Sequence, residues 1–147
     1  MATSRPPWQG IHHIAIVTRD LDATLAFYEE ILGMSRLDLD GPPPGDGPRH
    51  VFLNIGGGAT LHVWEHPAAE LFTSPPGSRG FMPGMVQHIS FRLPDEDALR
   101  ELGDRLRDNG YDATGIFDQG PVRLLFFNDP DGNMLEAACW LRSAPQP

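Results

Sequence analysis

The 147-residue sequence contains no lysine, because all eleven of its basic residues are arginine. That absence excludes a Schiff-base lysine, a pyridoxal-phosphate anchor and a phosphate-loop lysine. Cysteine is nearly absent as well. Cys139 stands alone, so no internal disulfide forms, and nothing in the sequence sets a base beside its thiol. It reads as a small buried apolar residue. Neither a nucleophile elbow nor a glycine-rich dinucleotide fingerprint occurs. No apolar run approaches the roughly 20 residues needed to cross a bilayer. With a formal net charge of −9, the chain also lacks the basic patch that nucleic acid or an anionic membrane surface requires. A small molecule is the expected partner and the cytoplasm the expected location. Residues 1–10 and 142–147 are rich in Pro, Ser and Gln and are expected to be flexible ends. What remains to carry chemistry is histidine and carboxylate.

The chain repeats itself. His13 to Ala23 (HIAIVTRDLDA) is echoed by His88 to Ala98 (HISFRLPDEDA) at an offset of 75, with five of eleven positions identical. Each copy starts as a short β-rich run, meets Asp20 or Asp95 as a helix N-cap, and continues with helical periodicity. In the first helix Leu21, Leu25, Tyr28 and Leu32 form one apolar stripe that ends at Gly33. In the second, Leu99, Leu102 and Leu106 form the stripe, the acidic residues 95–97 suit the positive helix N-terminus, and Gly110 supplies the stop. Strand-like runs follow at residues 36–40, 51–55 and 60–65, and again at 115–117, 122–127 and 134–141. Residues 56–58 and 129–133 are the turns before each last strand. The pattern is β-α-β-β-β, twice, in an α+β chain: a first module at residues 11–72, a linker or lid at 73–85, and a second module at 86–141.

The repeat also sorts the histidines. His13 and His62 are 49 residues apart, and His88 and Glu136 are 48 apart. Each half therefore carries one candidate ligand on its first strand and one on its last, and two such halves packed about an axis bring equivalent positions together. Imidazole and carboxylate suit one divalent ion of iron, nickel, cobalt, zinc or manganese. A strand histidine is more often a hydrogen-bonded structural residue, but the match between His13 and His88 outweighs that reading, and it selects His13 over His12. A carboxylate among Leu135, Ala137, Cys139 and Trp140 is costly to bury unpaired, and an ion at Glu136 removes the cost. His62 stays open as ligand, base or lining residue. His50 and His66 have no repeat counterparts and are expected at the surface. Arg79, Phe81, Arg123 and Trp64 are candidates for gripping an anionic or flat substrate, set against the more common fate of arginine as a solvated surface charge.

These residues resemble the vicinal oxygen chelate superfamily, which includes glyoxalase I, methylmalonyl-CoA epimerase, extradiol dioxygenases, fosfomycin-resistance thiol transferases and bleomycin-resistance proteins. The segments that carry the resemblance are HIAI at 13–16 with Asp20 and Leu21, FYEEILGM at 27–34, QHISF at 87–91 and DPDGNMLE at 129–136. The match covers residues 11–140. The resemblance implies two βαβββ modules in a paired, partly open β-barrel-like sheet. It implies metal positions at His13, His88 and Glu136, with a fourth ligand at His62 in isomerases and lyases. It implies a homodimer, sometimes with a site built across two chains. Histidine at position 62 departs from the Glu usual in glyoxalase I and the Gln common in epimerases. The expected chemistry is bidentate binding of two substrate oxygens to the ion. Proton transfer of the glyoxalase or epimerase kind, with Glu136 and His62 as catalytic groups, is the first reading. Fe(II) ring cleavage by the His13, His88 and Glu136 set is the second. The third is a metal-poor protein that holds a drug between aromatic walls such as Trp64, Phe81 and Trp140.

Overall fold

The computed structural model describes residues 7–39, 47–69 and 83–141. Within these residues the chain forms two mixed sheets of four strands. The first is built from β1 (His13–Thr18), β2 (Ser35–Leu37), β3 (His50–Asn54) and β4 (Thr60–Glu65), in the order β1-β4-β3-β2. The second is built from β5 (Ile89–Arg92), β6 (Phe117–Gln119), β7 (Val122–Asn128) and β8 (Met134–Trp140), in the order β5-β8-β7-β6. In each sheet the first and last strands pair in parallel and the others are antiparallel. The duplication read from the sequence is therefore a duplication of topology, and neither sheet closes into a barrel.

Both helices begin where the sequence placed them. The Asp20 carboxylate accepts from Ala23 N at 3.0 Å, and the Asp95 carboxylate accepts from Ala98 N at 3.0 Å. Each satisfies a backbone donor that the first helical turn leaves unpaired. Helix α2 (Glu96–Asp108) runs as expected, buries Leu99 and Leu106, and stops at Gly110, whose φ of +81° needs a residue without a side chain. The first helix departs from expectation. Only Leu21–Leu25 (α1) is α-helical, and Ala26–Ile31 widens into a π-helix. Leu32 N donates to Phe27 O at 3.0 Å and Met34 N to Tyr28 O at 2.9 Å before Gly33 ends the element at φ +74°. The wider turn buries both Phe27 and Tyr28 completely. An α-helical stripe keeps only one of two adjacent residues at its centre.

Strand ends shift by up to three residues from the expected runs, the largest shift being at β2, expected at 36–40 and found at Ser35–Leu37. The clearest correction is β6, expected at 115–117 and found at Phe117–Gln119. Thr114 already donates from its backbone to Phe126 O, and Ala113 bridges Phe127, ahead of the regular pairing that starts at Phe117.

One core runs through both halves. Leu21, Phe27, Tyr28, Leu53, Leu61 and Val63 meet Leu99, Leu106, Leu125, Phe127 and Leu135 in a single buried cluster. The halves are joined on the helix side of the sheets. Phe27 lies 4.8 Å from Tyr111 and 6.3 Å from Phe127, ring to ring. Tyr28 donates its hydroxyl to Asp129 Oδ2 at 3.0 Å, and Arg19 N donates to Asp131 Oδ1 at 3.3 Å. Each sheet thus has one face against helix and core and one open face. No helix among the described residues is long and apolar enough to cross a membrane.

Candidate metal centre

Strand alternation decides which side chains reach the open faces, because residues paired across a sheet point the same way. In the second sheet Glu136 pairs with Ser90 on β5 and Phe126 on β7, and Ala138 pairs with Leu124. These five residues share the open face, with His88 at the entry to β5. A hollow of about 280 Å³ lies there, lined by Ser90, Leu124, Glu136, Ala138 and Trp140 among others. Glu136 is only 7% exposed. Its Oε1 accepts from Ser90 Oγ at 2.5 Å, and its Oε2 stands 3.6 Å from His88 Nε2. That separation is too long for a hydrogen bond. Two ligand atoms about 2.1 Å from a common zinc-like ion are about 3.4 Å apart at a tetrahedral angle. The pair therefore fits two adjacent positions around a divalent ion. The far nitrogen of His88 contacts Gln87 Oε1. The ring also meets Phe126 edge-on at 5.8 Å.

The open face of the first sheet carries the equivalent positions. His62 pairs with Ala15 and Phe52, Trp64 pairs with Val17 and His50, and His13 pairs with Thr60. Phe52 stacks on His62 at 3.8 Å, His50 stacks on Trp64 at 4.3 Å, and His50 Nδ1 lies 3.0 Å from His62 Nε2. His50 was expected at the surface. It is instead half-buried, because strand parity puts it on the same face as Trp64 and His62. His66 is exposed as expected. His13 is exposed, with its ring 6.4 Å from His62 and its Nδ1 2.9 Å from His12 Nδ1.

A single chain thus presents two clusters, His88 with Glu136 and His13 with His62 and His50. No group of three or more His, Cys, Asp or Glu close enough to hold an ion occurs among the described residues. The convergence of equivalent positions inside one chain is not observed there, since the halves meet through Phe27, Tyr28 and the 129–133 turn on the helix side.

Arg123 does not share the face of Glu136. It pairs with Cys139 and points to the helix side, where its guanidinium meets Asp118 at 2.8 Å and Glu96 of α2 at 3.6 Å. Its guanidinium there forms a half-buried ion pair. Arg79 and Phe81 fall outside the described residues. Cys139 is buried as expected; burial, followed by the nearby Glu96 and Asp95 carboxylates, pushes its thiol up, away from the reactive thiolate. Sequence reasoning gave no role to Ser90, His50 or Gln87. For Ser90 the available signal was its repeat partner, Ala15, a second small residue at the same station of a first strand, while its pairing with Glu136 comes from the register of β5 on β8.

Two four-stranded mixed sheets, each with its first and last strands parallel and its helix on one side, define the paired βαβββ class of fold. The Glyoxalase/Bleomycin resistance protein/Dioxygenase superfamily model matches residues 10–137, and the chain belongs to that superfamily. It is 25% identical over 129 residues to the putative ring-cleaving dioxygenase MhqA of Bacillus subtilis (strain 168), covering 88% of this chain and 39% of the relative. It is also 25% identical over 130 residues to Glyoxylase I 4 of Arabidopsis thaliana, covering 86% of this chain and 68% of the relative. The chain therefore spans about two fifths of the length of the first of these. Among solved structures, the glyoxylase/bleomycin resistance protein/dioxygenase domain from Frankia sp. EAN1pec superposes with a TM-score of 0.74 at 27% identity, over 92% of this chain and 94% of that one.

Proposed function

We propose that this protein is a divalent-metal-dependent enzyme acting on a small molecule that offers two neighbouring oxygen atoms. The ion is held by His88 and Glu136 of one chain and His13 of a second copy. The observation that carries the reading is the His88 and Glu136 pair, a nearly buried carboxylate whose second oxygen faces an imidazole nitrogen at ligand spacing. The second copy is supported by the separation of the two clusters in one chain, and by the half-exposed apolar residues on both open faces, Val17 at 52% and Phe117 at 49%. A homodimer acting in the cytoplasm is part of the same proposal.

When bound, the ion (iron, nickel, cobalt, zinc or manganese) supplies Lewis acidity toward the two substrate oxygens. Ser90 keeps one oxygen of Glu136 engaged, so that the other is presented next to His88. His62 comes from the sheet that carries His13, and its Nε2 is tied to His50 Nδ1, so the two imidazoles form a pair able to take up a substrate proton and pass it on. That arrangement favours His62 as a base over His62 as a fourth ligand, and the reaction first proposed is proton transfer of the glyoxalase or epimerase kind. Phe52 and Trp64 flank His62 and favour a flat or apolar substrate portion. Arg79 and Phe81 remain proposals for gripping that substrate.

A second reading is supported by the same bond. With His62 engaged by His50, three ligands are left, the number that Fe(II) ring-cleaving chemistry uses, and one relative is named a putative ring-cleaving dioxygenase. Metal analysis of protein purified without chelators decides whether the reading survives, with about one ion per chain expected. Deuterium exchange into a hydroxycarbonyl substrate supports proton transfer, and oxygen uptake on catechols supports ring cleavage. Metal-free protein that binds aromatic drugs tightly overturns both in favour of sequestration.

A further inference from the structure

Gln87 is engaged at both ends of its side chain. Its Nε2 donates to the sulfur of Met134 at 3.6 Å, and its Oε1 contacts Nδ1 of His88. An amide nitrogen only donates and an amide oxygen only accepts. The Met134 contact therefore sets which end of the amide faces the ring, and the oxygen requires the proton of His88 to sit on Nδ1. A neutral imidazole has one such proton. Its lone pair is then on Nε2, the atom that stands 3.6 Å from Glu136 Oε2. Met134 precedes Glu136 by two residues on β8 and so lies on the same face. The strand that supplies the carboxylate thereby also orients the histidine beside it.

The repeat supplies an independent observation. The offset of 75 that maps His13 onto His88 maps His12 onto Gln87. His12 Nδ1 stands 2.9 Å from His13 Nδ1. One half uses an amide and the other an imidazole, yet both place a hydrogen-bonding atom against Nδ1 of the following histidine. Neither His12 nor Gln87 lies within the regular strand that follows, so side chains adjacent in sequence are able to meet. We infer that Gln87 is a positioning residue that holds His88 in the tautomer with its proton on Nδ1, leaving Nε2 for a cation, and that His12 holds the same station beside His13. This rests on the proposed function in one respect only, that His88 is a ligand.

The test is long-range nitrogen–proton NMR of the full chain at pH 8 without metal, together with zinc titration against a chromophoric chelator. In the wild type, His88 is expected in the Nδ1-protonated form. Gln87→Met, which keeps the length of the side chain and removes the acceptor, is expected to shift His88 away from that form and to weaken zinc binding roughly 10- to 100-fold. Gln87→His, the residue found in the first half, is expected to restore both. Unchanged His88 signals and zinc affinity in Gln87→Met overturn the inference, as does a wild-type His88 protonated on Nε2. If Gln87→Met does not fold, the wild-type tautomer and the Gln87→His variant decide. Failure of zinc to bind wild-type protein with the Nδ1 tautomer in place overturns the metal reading and leaves the orientation by Gln87 standing.

Discussion

Replacing Tyr28 by phenylalanine removes one oxygen atom from the junction between the two halves. Tyr28 is completely buried, and its hydroxyl donates to Asp129 Oδ2 at 3.0 Å. Asp129 is itself 5% exposed and also accepts from Asn133 Nδ2 and Asn133 N, both at 2.8 Å, and from Asp131 N at 3.1 Å. A hydrogen bond to a charged partner contributes about 1.5–3 kcal/mol. Asn133 continues to serve the same oxygen, so the lower part of that range applies, about 1.5–2 kcal/mol. For a chain of this size that corresponds to a fall in Tm of roughly 3–8 °C. Urea unfolding at pH 7 should show it as a lower midpoint with an unchanged slope. The effect should also depend on pH. Burial first, then the Asp129 carboxylate, raises the Tyr28 hydroxyl well above its ordinary value of 10.0. Above that pH the unfolded chain releases a proton that the folded chain keeps, so wild-type stability falls as pH rises. The Tyr28→Phe variant has no such proton to lose, and the advantage of the wild type should shrink once the pH passes about 10. A difference below about 0.5 kcal/mol at pH 7, or one that stays constant into the alkaline range, refutes the reasoning.

Ser90→Ala should leave the fold intact and weaken zinc binding by about tenfold, because Glu136 loses the donor that fixes Oε1; equal affinity in a competition titration counts against that role. Arg123→Gln should lower stability by about 0.5–1 kcal/mol through loss of its contacts with Asp118 and Glu96, with zinc affinity unchanged. A loss of zinc affinity there shows that Arg123 reaches the face of Glu136 after all. Cys139 should resist a thiol reagent in native protein and react fully in urea, as its burial and raised thiol require; rapid native reaction refutes its placement in the core.

The amino-acid sequence by itself determined the units and their order. Capping at Asp20 and Asp95, helical stops at Gly33 and Gly110, and alternation along residues 60–65 and 134–140 are set by neighbours a few residues away. They were legible for that reason, and with them the matched stations of His13 and His88, and of His62 and Glu136. The family resemblance was legible from the same segments. Only the tertiary structure decided how the stations are distributed in space. The π-helical turn that buries Phe27 and Tyr28 together fills the junction with Tyr111, Phe127 and Asp129, partners roughly a hundred residues away. That junction sets the halves against each other on their helix sides and leaves His13 and His88 in separate clusters. His50 reached the face of His62, and Arg123 the face opposite Glu136, through strand register. Cross-strand pairing with residues distant in the chain fixes that register, which a local reading does not contain.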